Sequence, residues 1–117
     1  MKTCIYISGP PCSGKSTVAA AIKQLDATID LIRGDDFWDK HPELPFSDRV
    51  AMTNKYVLDS LDKSTSDNAV CEWVPCGSFA WHVYEVCVGA DRRFLHVILT
   101  ASESVLKERK LARDGDQ

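Results

Sequence analysis

Apolar positions along this chain alternate between two patterns: short unbroken runs, and stretches in which they recur every three or four residues. The first kind reads as buried parallel strand, the second as amphipathic helix. Thr3-Cys4-Ile5-Tyr6-Ile7 is a β-prone run. A helix is predicted from about Lys15, with Val18, Ile22 and Leu25 as its inner stripe beside Ala19, Ala20 and Ala21. A second strand covers Ile29-Asp30-Leu31-Ile32 and ends at Arg33-Gly34-Asp35-Asp36, after which 37–46 (FWDKHPELPF), with its two prolines, reads as a loop with a hydrophobic rim. Ser47 is placed to cap a helix reaching about Leu61, with Val50, Val57, Leu58 and Leu61 buried, and 64–68 is a turn.

The second half repeats the alternation. Ala69 to Val74 reads as a strand closed by Pro75-Cys76-Gly77, a helix runs from Ser78 to about Val88, Phe94 to Leu99 is a fourth strand, and a polar helix begins at Ser102. The order β-α-β-α-β-α-β-α predicts one three-layer α/β/α domain on a parallel sheet, with ligands bound outside the carboxyl ends of the strands.

That topology gives meaning to residues 9–17, GPPCSGKST. Gly9, four variable residues, Gly14, Lys15 and Ser16 follow the G-x-x-x-x-G-K-[ST] spacing of a phosphate-binding loop, and the motif works when a buried strand feeds it and a helix leaves it. Both are predicted here, so the fold expected is that of a P-loop NTPase. Pro10 and Pro11 have no N–H, which leaves the donors to Cys12, Ser13, Gly14, Lys15, Ser16 and Thr17. By mechanism Lys15 reaches the β- and γ-phosphates of ATP, Ser16 offers its hydroxyl to Mg²⁺, and Thr17 contacts the α-phosphate side.

The other strand ends carry acids. Phosphoryl transfer needs a group that orients the attacking hydroxyl and accepts its proton. Asp35 stands where that group belongs, and Asp36 where substrate or metal-bound water is held, unless one of them only caps a short helix at FWDK. Glu72 interrupts an apolar strand, where an unpaired carboxylate is costly. It either holds Mg²⁺ or its water, or pairs with an Arg or Lys in a structural bridge. Phe37 and Trp38, with Phe46, either wall an acceptor pocket or pack as core. Arg109 and Arg113, four apart on one helix face, can both turn toward a γ-phosphate or remain solvated.

Charge and composition narrow the partners. Lys and Arg number 14 and Asp and Glu 17, a net −3, so nothing points to holding nucleic acid by bulk electrostatics, and nucleic acid is not an expected partner. The apolar runs are too short to span a membrane and the first residues do not read as a secretory signal, so a cytoplasmic chain is expected. None of the five cysteines forms a C-x-x-C pair. Cys4, Cys71 and Cys87 read as small core hydrophobes, while Cys12, in the loop beside Lys15, reads either as an activated or as an inert thiol. His41, His82 and His96 have no metal-ligand spacing. TNKY at 53–56 lacks the aspartate of a guanine-reading N-K-x-D, since Val57 takes its place.

GPPCSGKST, GDDFW, CEWV and RKLARDGD together resemble the small P-loop kinases of the nucleoside-monophosphate-kinase-like superfamily. GDDFWDKHP is similar to the acidic element of gluconate, adenylylsulfate and nicotinamide riboside kinases, and of polynucleotide 5′-hydroxyl kinases. The resemblance implies ATP- and Mg²⁺-dependent transfer of a γ-phosphoryl group to the hydroxyl of a small molecule, with Asp35 in the base position. It also implies an acceptor region over about 35–63 and a lid over about 104–117 that carries Arg109 and Arg113. Such kinases continue past the lid into a further strand and helix that help bind adenine, whereas this chain stops at Gln117, so a form of the fold truncated at its C-terminus is expected. A nucleotide-binding module or fragment without transfer activity is the alternative, and oligomeric state is not encoded legibly.

Overall fold

The computed structural model describes residues 2–10, 13–73, 78–100 and 102–114, without the side chains of Glu103, Arg113 and Asp114. Four parallel strands, β1 (Lys2–Ser8), β2 (Asp30–Arg33), β3 (Asn68–Glu72) and β4 (Arg92–Ile98), form one sheet in the order β2-β3-β1-β4. Between and after them run α1 (Lys15–Leu25), α2 (Asp35–Trp38), α3 (Phe46–Lys63), α4 (Phe79–Gly89) and α5 (Glu103–Asp114). The expected three-layer α/β/α architecture is present.

Alternation along the strands divides the core in two. Ile7 and Val70 turn to one face, where they meet Ala19 of α1, with Ile5, Val18, Ile22 and Leu31 around them. Cys4, Tyr6 and Cys71 turn to the other, against Val57 and Leu61 of α3 and Phe79, Val83 and Cys87 of α4. The three cysteines are buried small hydrophobes, with Cys4 Sγ 3.8 Å from Cys71 Sγ. The hydrogen bond with Cys71 and burial push the Cys4 thiol well up from the ordinary range, and the hydrogen bond with Cys4 and burial do the same to Cys87.

Several local expectations change. Leu25, at the last position of α1, is 87% exposed, and Ala19 is the apolar residue of α1 that is fully buried. The segment after Gly34 closes into α2 before the loop at 39–45, and neither Asp35 nor Asp36 caps it, both lying within its first turn. Helix α3 starts at Phe46 with Pro45 before it, so Ser47 is inside the helix and caps nothing. Buried Thr53 joins its inner stripe, its Oγ1 donating to Arg49 O at 2.7 Å. Ser102 does cap α5, accepting from Val105 N–H.

The fourth strand reads differently from the others. It lies at the sheet edge, and Leu95, Val97 and Ile98 remain exposed, so an apolar run alone did not report two-sided burial. Buried Arg92 at its start donates to Ser64 O, Ser66 O, Asp67 O and Thr3 O, pinning the turn before β3 to the end of the sheet opposite the acids.

Candidate active site

The phosphate loop follows β1 at the centre of the sheet. Gly14 has φ of 99°, a left-handed conformation that a side chain resists, and it turns the chain from the loop into α1. No side chain caps α1, and its first turn holds no acid, so its positive end faces the loop without an internal counter-charge. Buried Ser13 Oγ has no hydrogen-bond partner among the described residues. Lys15 is buried, its Nζ donating to Gly9 O at 2.9 Å and Pro10 O at 3.0 Å. An uncapped helix end, an orphaned hydroxyl and a folded-back ammonium together suit a polyphosphate. Thr17 is exposed in the same turn of α1, and Cys12 lies outside the described residues.

Next to this loop the structure brings three sequence-distant groups together. The Ser16 hydroxyl donates to Glu72 Oε1 at 2.9 Å, and Arg33 Nε donates to Glu72 Oε2 at 3.1 Å. Parallel pairing of β2 with β3 sets Arg33 directly opposite Glu72, so both side chains leave the sheet on the same face. Glu72 is 4% exposed and fully engaged, which explains how a carboxylate survives at the end of a buried strand. Both readings of Glu72, the metal-side acid and the bridged acid, have a partner here.

Asp35 follows one residue beyond Gly34. Partial burial, then the Glu72 and Asp39 carboxylates, hold its carboxyl above the ordinary aspartate range, against the opposing pull of Arg33 and Lys15. Gly34 fixes this placement. Its N–H donates to Glu72 O at 2.9 Å, and a Cβ on it would lie 2.0 Å from Cε3 of Trp73, so only a glycine lets the two strand ends approach this closely.

The residues that follow Asp35 build an aromatic cluster. Trp38 packs on Trp73 and Phe46 under the guanidinium of Arg49, and joins the core. Phe37 stacks on His41 and Tyr56, and Asp36 is exposed. His96 stacks on Tyr6 and bonds Ser8 Oγ at 2.7 Å. Trp73 Nε1 donates to Asn54 Oδ1 at 2.7 Å. On the far side of Asn54, between α3 and α4, opens a cavity of about 390 Å³ whose polar wall includes Lys55, Asp59, Ser78 and His82. Arg109 is exposed on α5, and the Arg113 side chain lies outside the described part.

Sequence reasoning missed Arg33, Asn54 and the glycine–tryptophan contact. Arg33 adjoins the GDD element, but its pairing with Glu72 depends on a strand register that no local pattern announces.

No group of three or more His, Cys, Asp or Glu among the described residues can by itself hold a metal ion. Ser16 Oγ and Glu72 are instead a sparse oxygen pair of the type that holds Mg²⁺ when phosphates and waters supply the remaining ligands. The residues fit such an ion.

A parallel sheet with a Lys- and Ser-bearing phosphate loop after β1, and acids after β2 and at the end of β3, is the arrangement of the P-loop, nucleoside-monophosphate-kinase-like class. Residues 5–117 match the family model AAA_18, described as an AAA domain, and the chain belongs to that family. The fold is similar to gluconokinase from Sinorhizobium meliloti 1021, with 26% identity, a TM-score of 0.69, and 95% of this chain covering 65% of that one. It is also similar to shikimate kinase from Acinetobacter baumannii in complex with shikimate, at 16% identity and TM-score 0.65, over 97% of this chain and 64% of that one. The APS kinase of Mycobacterium tuberculosis has 19% identity and a TM-score of 0.60, with 97% and 96% covered. The chain thus spans just under two thirds of the gluconokinase and shikimate kinase lengths. No curated protein sequence matches it significantly. No helix among the described residues is long and apolar enough to cross a membrane.

Proposed function

We propose that this chain carries the catalytic core of an ATP- and Mg²⁺-dependent kinase that transfers the γ-phosphoryl group to a hydroxyl of a small molecule such as a sugar acid or nucleoside. The observation that carries this reading is the meeting of Ser16, Glu72 and Asp35 at adjoining strand ends beside Lys15. A phosphate loop alone fits any nucleotide-binding protein. A proton acceptor beside it, held above its usual pKa, fits transfer to a hydroxyl.

In this mechanism the loop amides and Lys15 hold the β- and γ-phosphates, Lys15 exchanging its two carbonyl partners for phosphate oxygens. Ser16 Oγ and Glu72, directly or through water, would hold Mg²⁺, which would supply positive charge to offset that of the phosphates. Asp35 orients the acceptor hydroxyl. As its oxygen forms a bond to the γ-phosphorus, the bond from phosphorus to the β-bridging oxygen breaks, ADP leaves, and the hydroxyl proton passes to Asp35. Its raised pKa makes the proton transfer less uphill. In this reading the acceptor is taken over about 35–63, with Asp36, Phe37 and Trp38 contacting it, and a lid over about 104–117 would bring Arg109 and Arg113 to the transferring group.

A second reading, nucleotide binding without transfer, is favoured by the exposure of Arg109 on α5. Calorimetry with Mg-ATP, followed by ADP release across a panel of hydroxyl acceptors, separates the two. Acceptor-dependent ADP that is lost in Asp35→Asn supports the kinase. Binding with no acceptor dependence across the panel supports the module, and absence of binding rejects both.

A further inference from the structure

Arg33 occupies an unusual place. Its Nε donates to Glu72 Oε2 at 3.1 Å while its Nη2 reaches Ser16 Oγ at 3.4 Å. Ser16 Oγ in turn spends its proton on Glu72 Oε1 at 2.9 Å. One guanidinium therefore lies against the two side chains that a divalent cation would use, and it faces the hydroxyl lone pair that such a cation must take.

We propose that Arg33 is a built-in placeholder for the divalent cation: it neutralises Glu72 and holds Ser16 in position while no metal is bound, and Mg²⁺ must displace it. The starting placement is set by the sheet, since Arg33 and Glu72 are register partners and their side chains leave it side by side. Its freedom to leave is equally visible. The Arg33 side chain is 36% exposed against 5% for Glu72, so it can swing outward while the carboxylate stays. Arg33 also acts on Asp35, lowering the pKa that burial and Glu72 raise. A guanidinium displaced from Glu72 stays tethered one residue from Gly34, within the same cluster as the base. Arg33 is thus a positioning residue, and the proposal rests on the kinase reading only where nucleotide is concerned.

The consequence is competition. In the parent chain Mg²⁺ gains two oxygens but must release an ion pair. In Arg33→Gln the same oxygens wait without a cation, and a buried carboxylate is left uncompensated. The test is thermal melting of the whole nucleotide-free chain, in EDTA and across a MgCl₂ series. Arg33→Gln should melt on the order of 5–10 °C below the parent in EDTA. It should regain about 5 °C at an Mg²⁺ concentration roughly ten times the dissociation constant. The parent should respond weakly, and the Arg33→Gln, Glu72→Gln pair not at all.

Arg33→Lys keeps a charge but loses the fork that spans both partners, so it guards against a Gln variant that does not fold. It should answer to less Mg²⁺ than the parent. Equal Mg²⁺ responses in the parent and in the Arg33 variants overturn the proposal and leave a structural bridge. Calorimetry with ADP at graded Mg²⁺ forms the second arm. Half-maximal Mg²⁺ should be several-fold lower in Arg33→Gln. If no chain binds ADP, the kinase reading fails while the melting series still decides the role of Arg33.

Discussion

Gly34→Ala sets two effects of known sign against each other. The backbone at Gly34 is helical, φ −59° and ψ −35°, so alanine is conformationally welcome and returns up to about 1 kcal/mol by restricting the unfolded chain. The side chain, however, has nowhere to go. Its Cβ would lie 2.0, 2.4 and 2.8 Å from Cε3, Cδ2 and Cζ3 of Trp73, where carbon–carbon contact is comfortable at about 3.5–4.0 Å. The indole must therefore retreat by roughly 1.5 Å. It is 5% exposed, tilted against Trp38 with centroids 5.7 Å apart, and held by its Nε1 bond to Asn54.

Overpacking of this kind costs about 1–3 kcal/mol, and losing the indole hydrogen bond adds about 1 kcal/mol. The net loss expected is about 2–3 kcal/mol, or roughly 8–15 °C in Tm for a domain of this size. Melting followed by circular dichroism reads it directly. The decisive control is Trp73→Leu, which removes the ring: in that background Gly34→Ala should be neutral or stabilising, a reversal of sign. A Gly34→Ala chain that melts within a degree of the parent would falsify the claim that glycine is needed for the close approach of β2 and β3.

Other substitutions probe separate parts of the molecule. Lys15→Ala should abolish Mg-ATP binding in calorimetry, because the ammonium now held by the Gly9 and Pro10 carbonyls is the group that would pass to the phosphates; undiminished binding would remove Lys15 from the cradle. Asp35→Asn should retain binding and lower transfer by about 10²–10⁴, the usual worth of general acid–base catalysis. Because the folded pKa of Asp35 is raised, the folded chain holds its proton more tightly than the unfolded chain, and stability falls as pH rises from the ordinary aspartate value of 3.8 through the folded pKa. Asp35→Asn should accordingly be more stable than the parent at pH 7 and lose that advantage in acid; a constant gap in melts across pH contradicts the shift. Arg92→Met should cost about 2–4 kcal/mol, since four carbonyls lose a buried charged donor, and urea unfolding with no change in midpoint would make those bonds incidental.

Much of the architecture was readable because local pattern and mechanism agreed. GPPCSGKST carries its own geometry, and the runs before and after it required a strand and a helix. Boundaries failed where competition is tertiary. Ser47 has the chemistry of a cap, but Pro45 with its fixed φ starts the helix earlier. Leu25 has the right spacing, yet burial depends on how far the sheet extends beneath α1. Phe94 to Leu99 looked like the other strands because apolar content reports what a residue prefers and not whether a neighbour exists to cover it.

The candidate site divides along the same line. Asp35 and Glu72 could be singled out because each is an acid at a strand end, a property of position along the chain. Arg33 could not, for its significance lies across the sheet, in the single register that sets it opposite Glu72. A slip of that register by one residue would turn Arg33 to the other face and leave Glu72 without its cation. Gly34 makes the same point sterically, since the Trp73 ring that forbids a side chain there lies 39 residues away in sequence. The candidate groups are thus written in the sequence one at a time, whereas the contacts that hold them within reach of one another are written only in the pairing of β2 with β3.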